Sequence, residues 1–219
     1  MRLLIYTLLT IISLHSQGQR KVILNDFNSD SVDFYIGFPK PKEIFNYIQA
    51  AQRFESIDSG NVLKKIELVR MVLSLKSQEV VGSAATFALR VYDLDSLTCG
   101  PGAELTRSPV RVRSDTRRFV RINLDKYDIR INGKVFFVAI EWIIGEKNMQ
   151  SFDAVQGAPQ DSGHDILHTF AKGYQPFPGM INTGRATSGV WVMDQAGKWK
   201  RYDYNMPYMT DLAMSAYLE

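Results

Sequence analysis

The sequence predicts an all-β fold, a sandwich or barrel of short antiparallel strands. Three observations carry this. Apolar residues recur with a period of two far more often than with a period of 3.6. Turn signals interrupt the strands about every ten residues, the spacing of sandwich and barrel folds. The 219 residues are 45% hydrophobic, with Gly 15, Pro 8 and Cys 1. Such a chain has enough apolar surface for one real core, and it is not a disordered, collagen-like or disulfide-dense chain. The charges nearly cancel, 26 basic against 23 acidic.

The elements follow in chain order. Arg2 precedes a charge-free apolar run over residues 3–14, and Ser16-Gln17-Gly18 then offers small residues for cleavage. Residues 1–18 therefore read as a secretory signal, too short for a membrane span. Residues 19–219 read as a single domain, and no later stretch is long and apolar enough to cross a bilayer. Two strands, 22–24 and 32–36, flank the polar turn Asp26-Phe27-Asn28-Ser29-Asp30. A helix is expected over 42–51, after Pro39 and Pro41, and one long strand over 62–73. Phe87, Leu89 and Val91 alternate with Ala88, Arg90 and Tyr92. The same alternation marks 110–113 and 119–124, so each of these strands has one buried and one wet face. Residues 135–144 are nearly all apolar, which places that strand centrally. Residues 145–187 are rich in Gly, Pro, Asp and Gln and read as one long irregular loop, with a short helix over 164–171. A hairpin over 190–204 turns at residues 194–197. The last strand, 211–218, puts Leu212, Met214, Ala216 and Leu218 on one face, and no C-terminal sorting domain is expected after it.

Several short phrases recur from a known pattern. They are Ala51-Gln52-Arg53-Phe54, Val62-Leu63-Lys64-Lys65-Ile66 and Ala88-Leu89-Arg90-Val91-Tyr92-Asp93. Gly100-Pro101-Gly102-Ala103-Glu104-Leu105, Asn123-Leu124-Asp125-Lys126-Tyr127-Asp128-Ile129 and Phe137-Val138-Ala139-Ile140-Glu141-Trp142 follow. Their order resembles secreted Bacteroidota proteins with a galactose-binding-like or carbohydrate-binding-module-like jelly-roll domain. The resemblance covers less than half of the chain. It implies an antiparallel jelly-roll β-sandwich and says more about fold than about activity.

Five constellations could carry chemistry. His164 and His168 stand at i and i+4, which on a helix can share a zinc ion. The zincin pattern needs a glutamate beside the first histidine, and Asp165 stands there instead. Asp26, Asn28 and Asp30 mimic the start of an EF-hand loop, but Ser31 and Gly37 occupy the positions that need Gly and Glu. No cofactor is assigned. Extracellular sandwiches often hold calcium at loops, which keeps Asp58, Asp93 and Asp95 as candidate calcium ligands. Arg111 and Arg113 share a strand face, and Arg121 is expected on the neighbouring strand, forming a positive stripe towards anionic glycans. A solvated sheet face with charged edge protection explains the same residues. Outside the core strands, Tyr174, Trp199 and Tyr202 offer aromatic rings with Arg185 nearby. Sugars stack on such rings; rings that merely cap the core are the alternative. Trp199 and Arg201 should share one hairpin face, and Lys200 and Tyr202 the other. Glu141, inside an apolar strand, needs a cationic partner such as Arg53 or Arg90. Cys99 reads as a turn residue, since nothing marks it as an activated nucleophile.

These features describe an exported chain in the periplasm, on the cell surface or outside the cell. The expected function is a non-enzymatic binding module, with a glycan or an envelope protein as partner and no nucleic acid. Two other readings stand beside it: a metal-dependent hydrolase built on His164 and His168, and a structural, adhesin-like envelope component.

Overall fold

The computed structural model describes residues 21–36, 38–39, 47–71, 84–156, 167–185, 187–202 and 211–219. The expected signal segment lies outside these residues. The described chain is all-β, with helical geometry limited to short 3-10 turns such as Ser29–Ser31.

Two antiparallel sheets face each other. The first holds β1 (Val22–Leu24), β5 (Asn61–Val69), β9 (Phe119–Asn123), β10 (Ile129–Ile131) and β18 (Met214–Leu218). The second holds β4 (Tyr47–Glu55), β6 (Thr86–Leu94), β7 (Pro101–Glu104), β8 (Val110–Arg113), β11 (Val135–Trp142), β15 (Val190–Asp194) and β16 (Trp199–Arg201).

The pairings define a jelly roll. Eight strands nest from the outside in: β1 pairs with β18, β4 with β11, β5 with β9, and β6 with β8. The chain is thus one long antiparallel ribbon, rolled so that alternate pairs fall in opposite sheets. The resulting neighbour orders are β1-β18-β5-β9 and β4-β11-β6-β8, the two-sheet arrangement of a jelly roll. The hairpin β15–β16 extends the second sheet beyond β4.

Side-chain parity fills the space between the sheets. Phe87, Leu89 and Val91 of β6 point inward, as do Phe136, Val138 and Ile140 of β11. Val120 and Ile122 of β9, and Met214, Ala216 and Leu218 of β18, meet them from the other sheet. Phe54 and Phe136 stack at 5.3 Å between ring centroids. Each such side chain removed from water contributes about 1.5–3 kcal/mol. The nearly continuous apolar strand 135–142 is central, between β4 and β6, as its composition predicts.

Residues 145–187 are not irregular throughout. They contain β12 (Met149–Gln156) and β13 (Leu167–Tyr174), which pair over their full length, with β3 (Phe38–Pro39) on the far side of β13. β14 (Gly179–Ile181) pairs with β2 (Val32–Tyr35) and β17 (Asp211–Leu212). The described part of this region thus forms small sheets, because pairing satisfies its backbone groups, and Met180 and Tyr174 pack against the inter-sheet core.

Three further expectations change. Residues 47–51 lie in β4, so the helix over 42–51 is not formed there; residues 42–46 lie outside the described residues. Alanine favours helix locally, but Ala51 sits in register between Ala139 and Trp191, where a small side chain leaves room for the indole. Residues 167–171 lie in β13, so the helix over 164–171 is not formed over that part. The strand expected over 62–73 ends at Val69. There Arg70, fully buried, turns its guanidinium to the carbonyl of Arg117 at 3.1 Å and Oε1 of Gln175 at 3.2 Å.

Candidate functional site

The outer face of the second sheet, turned away from the core, carries an apolar cluster of its own. Ala51, Tyr92, Phe137, Ala139 and Trp191 are buried there, with Val135 and Trp199 packed against them. Strand parity explains the cluster. These residues occupy the alternate positions to the inward Phe136, Val138, Leu89 and Val192. Tyr92 and Trp199 meet edge to face at 5.3 Å, and Phe137 and Trp191 at 6.3 Å. The turn after β6 closes over one end. A Cβ at Gly100 would lie 2.7 Å from the Trp191 ring, so this position needs glycine for the indole to fit.

Polar groups surround the cluster. Tyr92 donates its hydroxyl to Oε1 of Gln49 at 2.8 Å. Burial is the main reason that its phenol is pushed up to about 12. Arg90 lies between two carboxylates, Glu141 and Glu104. The hydrogen bond from Arg90 to Glu141 raises the guanidinium pKa against the effect of burial. Arg90, and not Arg53, is therefore the partner that the strand glutamate needs.

Beside the cluster opens a cleft of about 580 Å³, within the range of small-ligand sites. Arg53, Arg185, Thr187, Ser188, Trp191 and Arg201 line it. The three arginines come from three elements. Arg53 points outward from β4, with Glu55 at 3.0 Å. Arg201 points outward from β16, opposite Trp191 in the ladder, with its guanidinium 5.4 Å from the indole. No ion pair holds Arg201 among the described residues. Arg185 reaches Asp211 at 3.2 Å, and that carboxylate is fully buried.

A buried polar chain fixes the floor. Gln52 donates to Oδ1 of Asp211 at 2.9 Å and accepts the backbone N–H of Leu212 at 2.7 Å. A Cβ at Gly189 would collide with the Asp211 carboxylate. Asp211 Oδ2 accepts no hydrogen bond among the described residues and faces Arg185. A buried carboxylate needs such a counter-charge. Asp211 therefore orients Arg185, whose side chain remains 53% exposed.

The residues singled out from the sequence fall in three places. Arg185 lines the cleft, and Trp199 lies on the outer cluster beside it. Tyr202 faces the other way, towards Tyr47 and the inter-sheet core, and Tyr174 also packs against that core. Trp199 with Arg201 and Tyr202 thus lie on opposite hairpin faces, as parity predicts. Arg111 and Arg113 are exposed on β8 in the second sheet, whereas Arg121 lies on β9 in the first. The expected single stripe across neighbouring strands is not formed, because the ribbon crosses between sheets after β8. Arg113 and Arg121 still share a shallow groove of about 520 Å³ with Arg117 and Asp115, and Arg121 pairs with Glu67 at 3.1 Å.

His164 lies outside the described residues. His168 lies in β13, so the helical turn that would aim both histidines at one ion is absent on its side. Among the described residues, no three His, Cys, Asp or Glu side chains gather as metal ligands. Several of these loop side chains hydrogen-bond their own turns. Asn28 caps the turn after β1 by accepting from Asp30 N–H. Asp93 accepts from Leu94 N–H, and Asp95 from Leu97 N–H and Thr98 hydroxyl. Cys99 is exposed in that turn with φ at +58°. No helix among the described residues is long and apolar enough to cross a membrane.

The fold and site together define a jelly-roll sandwich with an aromatic and cationic cleft on its outer face. No family model matches the chain. No curated protein matches it either. Among solved structures, it is similar to the cysteine protease and lectin-like domains of Cwp84, a surface layer associated protein of Clostridium difficile. The TM-score is 0.44 and the identity 9%, over 80% of this chain and 32% of that one. The chain thus spans about a third of that structure's length.

Proposed function

We propose that this chain is an exported carbohydrate-binding module that acts without catalysis. One observation carries the reading: the second sheet bears an aromatic cluster on its outer face, where the sandwich core does not need it, and a cleft opens beside that cluster. Trp191 forms a wall of the cleft, and Trp199 continues the aromatic surface. The C–H face of a pyranose packs on such rings, while arginines and hydroxyls supply directed hydrogen bonds. The apolar run at residues 3–14 and the small residues after it support export.

A thermal-shift screen of the purified protein against neutral and acidic oligosaccharides tests this. A ligand at 100 times its Kd adds about 2.7 kcal/mol, a melting shift of about 5–10 °C for a chain of this size. The expected result is a clear shift for at least one glycan, lost in Trp199→Ala while the variant itself still unfolds cooperatively. A flat response to every glycan overturns the proposal.

A further inference from the structure

We infer that the cleft selects saccharides carrying a carboxylate or sulfate, and that Arg53, Arg185 and Arg201 read that anionic group. The inference deepens the carbohydrate-binding proposal and rests on it. Its basis is the charge arrangement. Three guanidinium groups, from β4, from residue 185 and from β16, converge on one concave surface. Their described carboxylate partners are Glu55 beside Arg53 and the buried Asp211 beneath Arg185. Arg201 is held by the Trp191 ring rather than by a carboxylate. The cleft therefore carries net positive charge that a ligand anion would neutralise.

Guanidinium is suited to this task. Its planar fork matches the two oxygens of a carboxylate or sulfate and stays protonated at every physiological pH. Asp211 removes part of the entropic cost by holding Arg185 in place from below, leaving the rest of the fork exposed. The indole fixes Arg201 in the same way. The part of Trp191 that lines the cleft then borders an acidic sugar whose anionic substituent meets the arginines. A neutral sugar would leave Arg201 without a counter-ion and lose the corresponding contacts.

Isothermal titration distinguishes the cases. The probes are oligogalacturonate for carboxylate, heparin oligosaccharide for sulfate, and a neutral galacto-oligosaccharide, each at low and high salt. The inference expects at least one acidic probe to bind ten-fold or more tightly than the neutral one, with affinity falling as salt rises. Arg201→Gln should weaken that binding about ten-fold with an unchanged melting temperature. Arg185→Gln also uncovers Asp211 and will cost stability, so Arg201→Gln is the decisive variant. Arg111→Gln, on the same sheet but outside the cleft, should bind as the parent does. Equal binding of neutral and acidic probes overturns the acidic selectivity and leaves the carbohydrate-binding reading standing. Acidic binding that survives Arg201→Gln overturns this site. No binding of any probe overturns both.

Discussion

Glu67 lies on the outer face of the first sheet, its side chain 10% exposed, and three groups converge on it. Burial alone would raise its pKa. Hydrogen bonds from Tyr217 and Lys65, with the charges of Lys65 and Arg121, outweigh burial and hold the carboxyl below the usual range. Tyr217 donates at 2.6 Å, and that bond is the main cause that pushes its own phenol up to about 12. A depressed carboxylate pKa contributes stability that is complete above the unfolded value, about 4.3, and is lost as pH falls through the folded value. Glu67→Gln should therefore lower the melting temperature at pH 7. The gap to the parent should close as pH drops below about 4, which a melting series from pH 7 to pH 3 reads directly. Tyr202 and Trp199 make a second contrast between single residues. Tyr202→Ala opens space against Tyr47 and should cost about 2 kcal/mol without altering the cleft. Denaturant melts separate that loss of stability from a loss of binding. Trp199 and its face-mate Arg201 were legible from the alternation of the hairpin, and Arg185 from its place in the adjacent loop. Arg53 stood only as a possible partner of Glu141, because no strand was expected over it, and Trp191 lay in the expected hairpin. Nothing in the sequence showed that their strands would lie side by side, since β4 and β15 are far apart in the chain.

Strand identity was legible wherever one face is apolar and the other wet. β6, β8 and β9 fall where the period of two puts them, β11 where the continuous apolar run does, and the β15–β16 hairpin about its expected turn. β4 was not, because alanine and glutamine favour helix locally and only the cross-strand indole explains Ala51. β12 and β13 were not, because Gln, Asp, Gly and Lys interrupt their apolar pattern. At this scale the turn over residues 95–102 is the sharpest test of how the outer cluster is built. Gly100→Val would force the turn away from Trp191 and should cost about 1–3 kcal/mol. Tryptophan fluorescence should shift to longer wavelength as water reaches the indole. On the inner side of the same sheet, Phe136→Ala removes a fully buried ring stacked on Phe54. It should cost about 3–5 kcal/mol. For a chain of this length that lowers melting by about 6–20 °C.

The whole molecule is held by a ribbon whose first and last strands are partners. β1 lies against β18, and β18 lies between β1 and β5. A chain cut before Met214 therefore loses the strand that closes the first sheet. It should show no cooperative melting transition, whereas a chain shortened only within residues 1–18 should melt as the parent does. The same nesting sets a clock. While synthesis proceeds, β4 and β5 emerge early, but β11 and β18 come much later. Contacts this distant in sequence form slowly, and open strand edges wait meanwhile for other chains as well as for their own. The first sheet cannot close until β18 has left the ribosome. A chain built this way must keep its earliest strands from strangers until their late partners arrive.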